Sequence, residues 1–164
     1  MKKVVVFILS LFIFNFVNAE SDKALFSKCV DGDTAYFLVN ENEIKVRFLA
    51  IDTPESVHPT KAVEAFGKEA SEYTCNLLTK AKKIELEFDK NSDKEDKYGR
   101  WLAFVYADST MVQKQLLEIG YAKVAYLYAD YTYTSELKEI EAKAKETAAS
   151  VKNSTQSNAA NSEP

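Results

Sequence analysis

Histidine occurs once in this 164-residue chain, cysteine and methionine twice each, tryptophan once, proline three times and glycine four times. With His58 alone and only Cys29 and Cys75, a zinc finger or a multi-histidine metal centre is almost excluded, because such centres take three or four ligands from those residue types. There is no glycine-rich phosphate loop and no nucleophile elbow, which removes the chemistries those motifs support. Arginine is scarce too: Arg47 and Arg100 stand alone among 21 basic residues. Those 21 face 25 acidic residues, for a formal charge of −4. This balance argues against a protein that holds nucleic acid by bulk electrostatics, since that binding relies on lysine and arginine displacing counterions from phosphate.

The beginning of the chain has its own pattern. Lys2 and Lys3 precede an almost wholly apolar run from Val4 to Val17, and Val17-Asn18-Ala19 offers small residues for cleavage. That is the layout of a signal peptide, and the run is shorter than the roughly 20 residues a membrane span needs. Residues 1–19 are therefore read as a signal for export, to the outside or to a periplasmic or cell-envelope compartment. An uncleaved N-terminal membrane anchor is the rival reading. No cysteine flanks the proposed cut, which argues against lipid attachment. Losing Lys2 and Lys3 leaves 19 basic against 25 acidic residues, a formal charge of −6. Residues 20–149 suffice for one domain with one core, and the Ser-, Asn-, Ala- and Thr-rich stretch 150–164 is expected to be a disordered tail. Cys29 and Cys75 could pair in an oxidising compartment, worth roughly 4 kcal/mol in the chain-entropy model. Cys75, however, lies off the apolar stripe of its expected helix, so the pairing stays open.

Short alternating runs predict five strands: Leu25 to Val30, Asp33 to Asn40, Ile44 to Ile51, Lys83 to Phe88, and Arg100 to Ala107. Asp31-Gly32 is a turn signal between the first two. Phe66, Ala70, Tyr73, Leu77 and Ala81 keep a 3.6 period, predicting a helix between the third and fourth strands. Thr110 and Gln113 have capping-box spacing, and Gly120 should end the second helix. Leu137, Ile140, Ala144 and Ala148 predict a third. Three strands, a helix, two strands and further helices is an α+β order: a five-stranded OB-type Greek-key β-barrel with three α-helices.

Several side chains could carry chemistry. Asp33 follows the Asp31-Gly32 turn and Asp52 ends the third strand; two carboxylates and a backbone carbonyl form part of a hard-cation site, although such pairs are commonly solvated loop residues. In Asp52-Thr53-Pro54-Glu55, proline stiffens the backbone that carries Glu55. Glu55 could take a proton from water or orient it, or simply favour a helix start. Arg47 and Arg100 stand on strands and could grip phosphate oxygens bidentately, or form rim salt bridges. Lys97-Tyr98-Gly99-Arg100 adds a cation and an aromatic ring, and Tyr126 and Tyr128 could stack on bases or simply pack. His58 reads as an exposed loop residue.

Taken in order, Val30-Asp31-Gly32-Asp33-Thr34, Val46-Arg47-Phe48-Leu49, Ile51-Asp52-Thr53-Pro54-Glu55, His58-Pro59, Ala81-Lys82-Lys83-Ile84-Glu85, Lys97-Tyr98-Gly99-Arg100 and Ala122-Lys123-Val124-Ala125-Tyr126 closely resemble the staphylococcal nuclease (thermonuclease) family over Val30 to Ala148. The resemblance implies a calcium-dependent endonuclease that hydrolyses DNA and RNA, single-stranded or locally opened, to products with 3′-phosphates. It implies that Asp33, Asp52 and the Thr53 carbonyl bind Ca2+, that Glu55 activates water, and that Arg47 and Arg100 stabilise the phosphoryl transition state. Lys97, Tyr98, Tyr126 and Tyr128 would hold the nucleotide, with Lys61 bordering the site. A monomer with no stable protein partner is implied, with membrane contact only if the N-terminal segment is retained. A non-catalytic OB-fold module for single-stranded nucleic acid is the alternative. The chain departs from the family type in its acidic charge, in the acidic loop around Asp93, Glu95 and Asp96, and in lacking the tryptophan-containing C-terminal segment. A Cys29–Cys75 disulfide would compensate for that lost packing.

Overall fold

The alternation in the sequence becomes a closed ring of strands. The structure, a computed structural model, describes residues 21–55 and 65–160, with side-chain surroundings up to residue 150. The signal segment, His58, Pro59 and Lys61 lie outside the described residues. In chain order the elements are β1 (Ser21–Cys29), β2 (Thr34–Val39), β3 (Asn42–Phe48), β4 (Ile51–Asp52), α1 (Gly67–Lys80), β5 (Ile84–Glu87), β6 (Trp101–Ala107), β7 (Thr110–Met111), α2 (Val112–Glu118), β8 (Lys123–Val124) and α3 (Thr134–Ala160). β1 pairs antiparallel with β2 and β5, β2 with β3, and β5 with β6. A parallel contact between β3 and β6, with Val46 opposite Trp101 and Phe48 opposite Ala103, closes the ring. Each of the five strands thus has a partner on either side, which removes the exposed edge an open sheet would present. The architecture is the expected OB-type α+β barrel with three helices.

One residue in two fills the interior. Ala35, Phe37 and Val39 of β2, Val46 and Phe48 of β3, and Ile84 and Leu86 of β5 are buried. β6 is buried on both faces: Ala103, Val105 and Ala107 on one, Phe104 on the other, where Phe104 meets the Tyr133 ring edge-on at 4.9 Å. Full burial of a side chain such as Phe104 is worth roughly 1.5–3 kcal/mol. The two-residue loops Asn40-Glu41 (φ 48 and 67) and Asp108-Ser109 (φ 48 and 71) both take positive φ, the hand that matches strand twist in tight hairpins.

The third strand does not run on to Ile51. It stops at Phe48, Leu49 N–H donates to Ala103 O at 3.0 Å, and Ala50 turns the chain at φ 64. A non-glycine residue there costs roughly 1–2 kcal/mol. The turn lets Ile51 and Asp52 restart as β4 against β8, with Asp52 opposite Lys123. Phe48, Leu49, Ala50 and Ile51 are consequently all buried, and alternation fails over those four residues.

The helices correct three expectations. The buried face of α1 is Gly67, Ala70, Thr74 and Leu78, while Phe66 is 62% exposed, so the face is rotated from the predicted stripe towards Thr74. That rotation brings Cys75 beside β1, and Cys29 and Cys75 form a disulfide with Cα atoms 5.8 Å apart. The capping box is absent. Thr110 belongs to β7, the residue before α2 is Met111 with no side-chain cap, and Gln113 points inward, fully buried. Gln113 Nε2 donates to Ala103 O at 3.0 Å and its Oε1 accepts from Val105 N–H at 3.1 Å, serving a stretch of β6 that β3 has already left. Gly120 does end the helix, at φ 76. α3 begins at Thr134 and continues to Ala160, eleven residues past the expected boundary at 149/150; no glycine or proline interrupts that stretch. Among the described residues no helix is long and apolar enough to cross a membrane.

Two measurements follow from this packing. Reduction of the disulfide is expected to lower the thermal midpoint by roughly 10 °C or more; equal midpoints with and without reductant remove the compensating role. Gln113→Leu keeps the volume but orphans the Val105 amide, because Ala103 O still accepts from Leu49. A loss of about 1–3 kcal/mol is expected in denaturant melts, and a melt that superposes on the wild type refutes a stabilising role for the Gln113–Val105 bond.

Candidate functional site

The β1–β2 loop is built around its own aspartates. Val30 and Asp31 N–H both donate to Thr34 O, and Asp33 N–H donates to Asp31 Oδ1 at 3.0 Å. Asp33 is buried, 4% exposed. Its Oδ2 accepts from the Thr53 amide at 2.8 Å and the Thr53 hydroxyl at 3.1 Å, and its Oδ1 accepts from the Thr34 hydroxyl at 3.1 Å. A Cβ at Gly32 would lie 2.7 Å from Thr53 Oγ1, so only glycine allows this close approach. Burial pushes the Asp31 carboxyl above its ordinary range, against the pull of the Arg47 charge and of hydrogen bonds from Thr34.

Arg47 joins this loop to β4. One end of its guanidinium is ion-paired with the Asp33 carboxylate. Nη2 donates to Ile51 O at 3.2 Å and to Asp52 Oδ1 at 3.3 Å. Asp52 is held on its other oxygen by Lys123 Nζ at 3.0 Å, a consequence of the β4–β8 pairing. Burial lowers the Arg47 pKa, Asp31 and Asp52 oppose that, and Arg100 adds to the lowering; arginine's ordinary value is so high that the group stays a cation. The Arg47 guanidinium also sits 5.3 Å from the centre of the Tyr126 ring.

The second arginine has a separate holder. Gly99 takes φ 75, turning Lys97-Tyr98-Gly99-Arg100 so that Asp96 Oδ1 accepts from the Tyr98 and Arg100 amides at 2.9 and 3.0 Å. Asp96 Oδ2 takes the Arg100 side chain as a fork, 2.8 Å from Nε and 2.7 Å from Nη2. Burial pushes the Asp96 carboxyl up but is outweighed by the hydrogen bonds from Arg100 and Tyr98, and the net pKa lies below the usual carboxylate range. Arg100 lies 5.5 Å from the Tyr98 ring centre. On the far wall, Ala125 N–H donates to Ala50 O at 3.0 Å and Tyr126 takes φ 55, leaving the Tyr126 and Tyr128 rings 6.4 Å apart and 34° from parallel. Tyr98, Tyr126 and Tyr128 are 71%, 51% and 85% exposed, which favours contact with a ligand over packing.

One cleft of about 1050 Å³ is lined by Asp33, Asp52, Thr53, Glu55, Arg47, Arg100, Lys97, Tyr98, Tyr126 and Tyr128. Of the site residues expected from sequence, only Lys61 is not placed, being outside the described residues. Glu55 is exposed in that cleft. Sequence reasoning missed three members. Asp31 is visible as the first acid of Asp31-Gly32-Asp33, Asp96 as an acid four residues before Arg100, and Lys123 only through strand pairing. Among the described residues, no group of three or more His, Cys, Asp or Glu is placed to hold a metal ion. The donors are nevertheless all oxygen, and Asp33 and Asp52 converge on one shared cationic group, Arg47. Such a set fits a hard cation better than a soft one, provided that backbone carbonyls and water complete it.

Comparison with known proteins agrees with this geometry. The family described as staphylococcal nuclease homologue matches residues 45–151. The chain is 45% identical over 119 residues to the SPbeta prophage-derived endonuclease YokF of Bacillus subtilis (strain 168), covering 72% of this chain and 40% of that protein. It is 43% identical over 116 residues to endonuclease YncB of the same organism, covering 71% and 52%, so it spans about half or less of either relative's length. To the thermonuclease of Staphylococcus hyicus it is 32% identical over 127 residues, covering 77% of this chain and 73% of the other. With the barrel, the cleft and these matches together, the chain belongs to the staphylococcal nuclease homologue family.

Proposed function

We propose that this chain is an exported, calcium-dependent nuclease that hydrolyses phosphodiester bonds in DNA and RNA and leaves 3′-phosphates, acting as a monomer on single-stranded or locally opened substrate. The observation that carries the reading is one cleft holding two guanidiniums, two convergent aspartates and an exposed glutamate. A phosphodiester resists attack because it is anionic and gains charge in the transition state. Arg47 and Arg100, lining the same cleft, supply positive charge where that charge develops. Glu55, exposed in the cleft, is the carboxylate that would take a proton from the attacking water. Tyr98, Tyr126 and Tyr128 offer faces on which bases stack without sequence preference, and Lys97 adds local charge to an acidic protein.

Asp33 and Asp52, with the Thr53 carbonyl, are the groups that would hold calcium, which when bound neutralises phosphate charge and polarises the phosphoryl group. Extracellular calcium sites commonly work at about 10⁻⁴ to 10⁻³ M, so two carboxylates suffice in an exported protein. The Cys29–Cys75 disulfide supports the same compartment, since such bonds persist where the surroundings are oxidising.

Incubation of plasmid and single-stranded DNA with the chain at millimolar calcium is expected to give nicking and digestion that chelator stops. Stable binding with no cleavage at any calcium level would turn the reading to a non-catalytic module. Arg100→Ala is expected to lower the rate roughly 10³-fold, and Glu55→Gln roughly 10²- to 10⁴-fold with nucleic-acid binding kept. Gel-shift affinity and single-turnover rate, measured on the same variants, separate loss of binding from loss of chemistry.

A further inference from the structure

Thr74 and Cys75 are neighbours on α1, and both grip the β1–β2 loop. Thr74 is fully buried and its hydroxyl donates to Gly32 O at 2.7 Å. Cys75 is bonded to Cys29, the last residue of β1, directly before the loop begins. Gly32 lies between Asp31 and Asp33, where a Cβ would fall 2.7 Å from Thr53 Oγ1, so the Thr53 side chain closes over this point of the loop. The loop is therefore pinned from behind by one rigid helix at two points and from the front by Thr53.

The span closed by the disulfide, residues 29–75, contains Asp33, Arg47, Asp52, Thr53 and Glu55. We propose that Thr74 and the Cys29–Cys75 disulfide are positioning residues that hold Asp33 convergent with Asp52 and so set the calcium affinity of the site; the proposal rests on the calcium-dependent reading above. Arg47 bridges the two carboxylates, but a loop free to relax would still have to be brought into place at each binding event. Pinning the loop before binding removes that cost. Neither Thr74 nor the cysteines touch substrate, and their effect acts through Asp33.

Calorimetry with calcium alone, on the full chain without nucleic acid, tests the inference, together with hydrogen exchange of the Asp31–Thr34 amides in metal-free protein. Cys29→Ala/Cys75→Ala and Thr74→Val are each expected to weaken calcium binding by about 10-fold or more, in the range seen when partners of metal ligands are removed, and to speed exchange of the loop. Thr74→Ser should restore both. Leu117→Ala, a core substitution in α2 distant in sequence from the loop, should lower stability and leave calcium affinity alone. Should the double cysteine variant not fold, Thr74→Val decides, and wild-type affinity with wild-type loop exchange in that variant overturns the inference. A wild-type chain that binds calcium, with folded variants that match it, overturns the inference alone. A wild-type chain that takes up no calcium at millimolar concentration overturns the calcium reading as well.

Discussion

Everything in the cleft hangs on the carboxylate of Asp33. It is buried, accepts from both the amide and the hydroxyl of Thr53, and is paired with Arg47. A buried charge without partners would cost several kcal/mol. Here the partners are the very groups that the site needs on one side of the barrel. Satisfying one acid therefore brings the β1–β2 loop, the end of β3 and the start of β4 together. Arg47 extends the chain of dependence to Asp52, and Asp52 to Lys123 on β8. Local hydrogen bonding at a single acid thus organises segments that lie far apart in sequence.

The two arginines are held by different means. Arg47 is stretched between one carboxylate of the β1–β2 loop and one of β4, whereas Arg100 lies in a fork provided by its own tight turn through Asp96. The first arrangement registers the barrel's halves against each other. The second is local and would survive small movements of the barrel. A fork to a carboxylate also keeps a guanidinium from folding back on the protein surface, so Asp96 fixes the direction of Arg100 while masking part of its charge.

Strand alternation and turn signals carried the barrel. Val46, Phe48, Ile84 and Leu86 alternate with Lys45, Arg47, Glu85 and Glu87, and that pattern alone sets them on one face. Where sequence reading failed, a polar or positive-φ residue had taken a tertiary role. Thr74 sits at the centre of the α1 face, but a stripe defined by apolar residues alone cannot include it, and the disulfide was left open for that reason. Gln113 matched a helix cap by spacing and was diverted to serve the backbone of β6. Ala50 adopts a conformation that nothing in its chemistry favours, because closing the barrel and pairing β4 with β8 outweigh the local cost. In the cleft, motif order placed Asp33, Arg47, Asp52, Glu55 and Arg100 in sequence. Sequence alone shows Asp96 only as loop charge and Asp31 only as part of a turn signal, since their bonds depend on turns whose geometry is not written in residue type.

The acidic balance of the chain, which first argued against nucleic acid, now has a local resolution. Around Arg47 stand Asp31, Asp33 and Asp52, and the guanidinium serves its own carboxylates. It can turn to a phosphate only if those acids have another counter-charge. The same acids are the ones that a hard cation would take. If a cation and a phosphodiester occupy the cleft together, each relieves a cost the other would meet alone: the cation releases Arg47 from its acids, and the phosphate gives the released guanidinium an anion. Coupling of this kind is reciprocal by thermodynamic necessity. An acidic member of a nuclease family can in this way bind a polyanion through a few groups whose charge becomes available only when the cation is present, with no need for a basic surface.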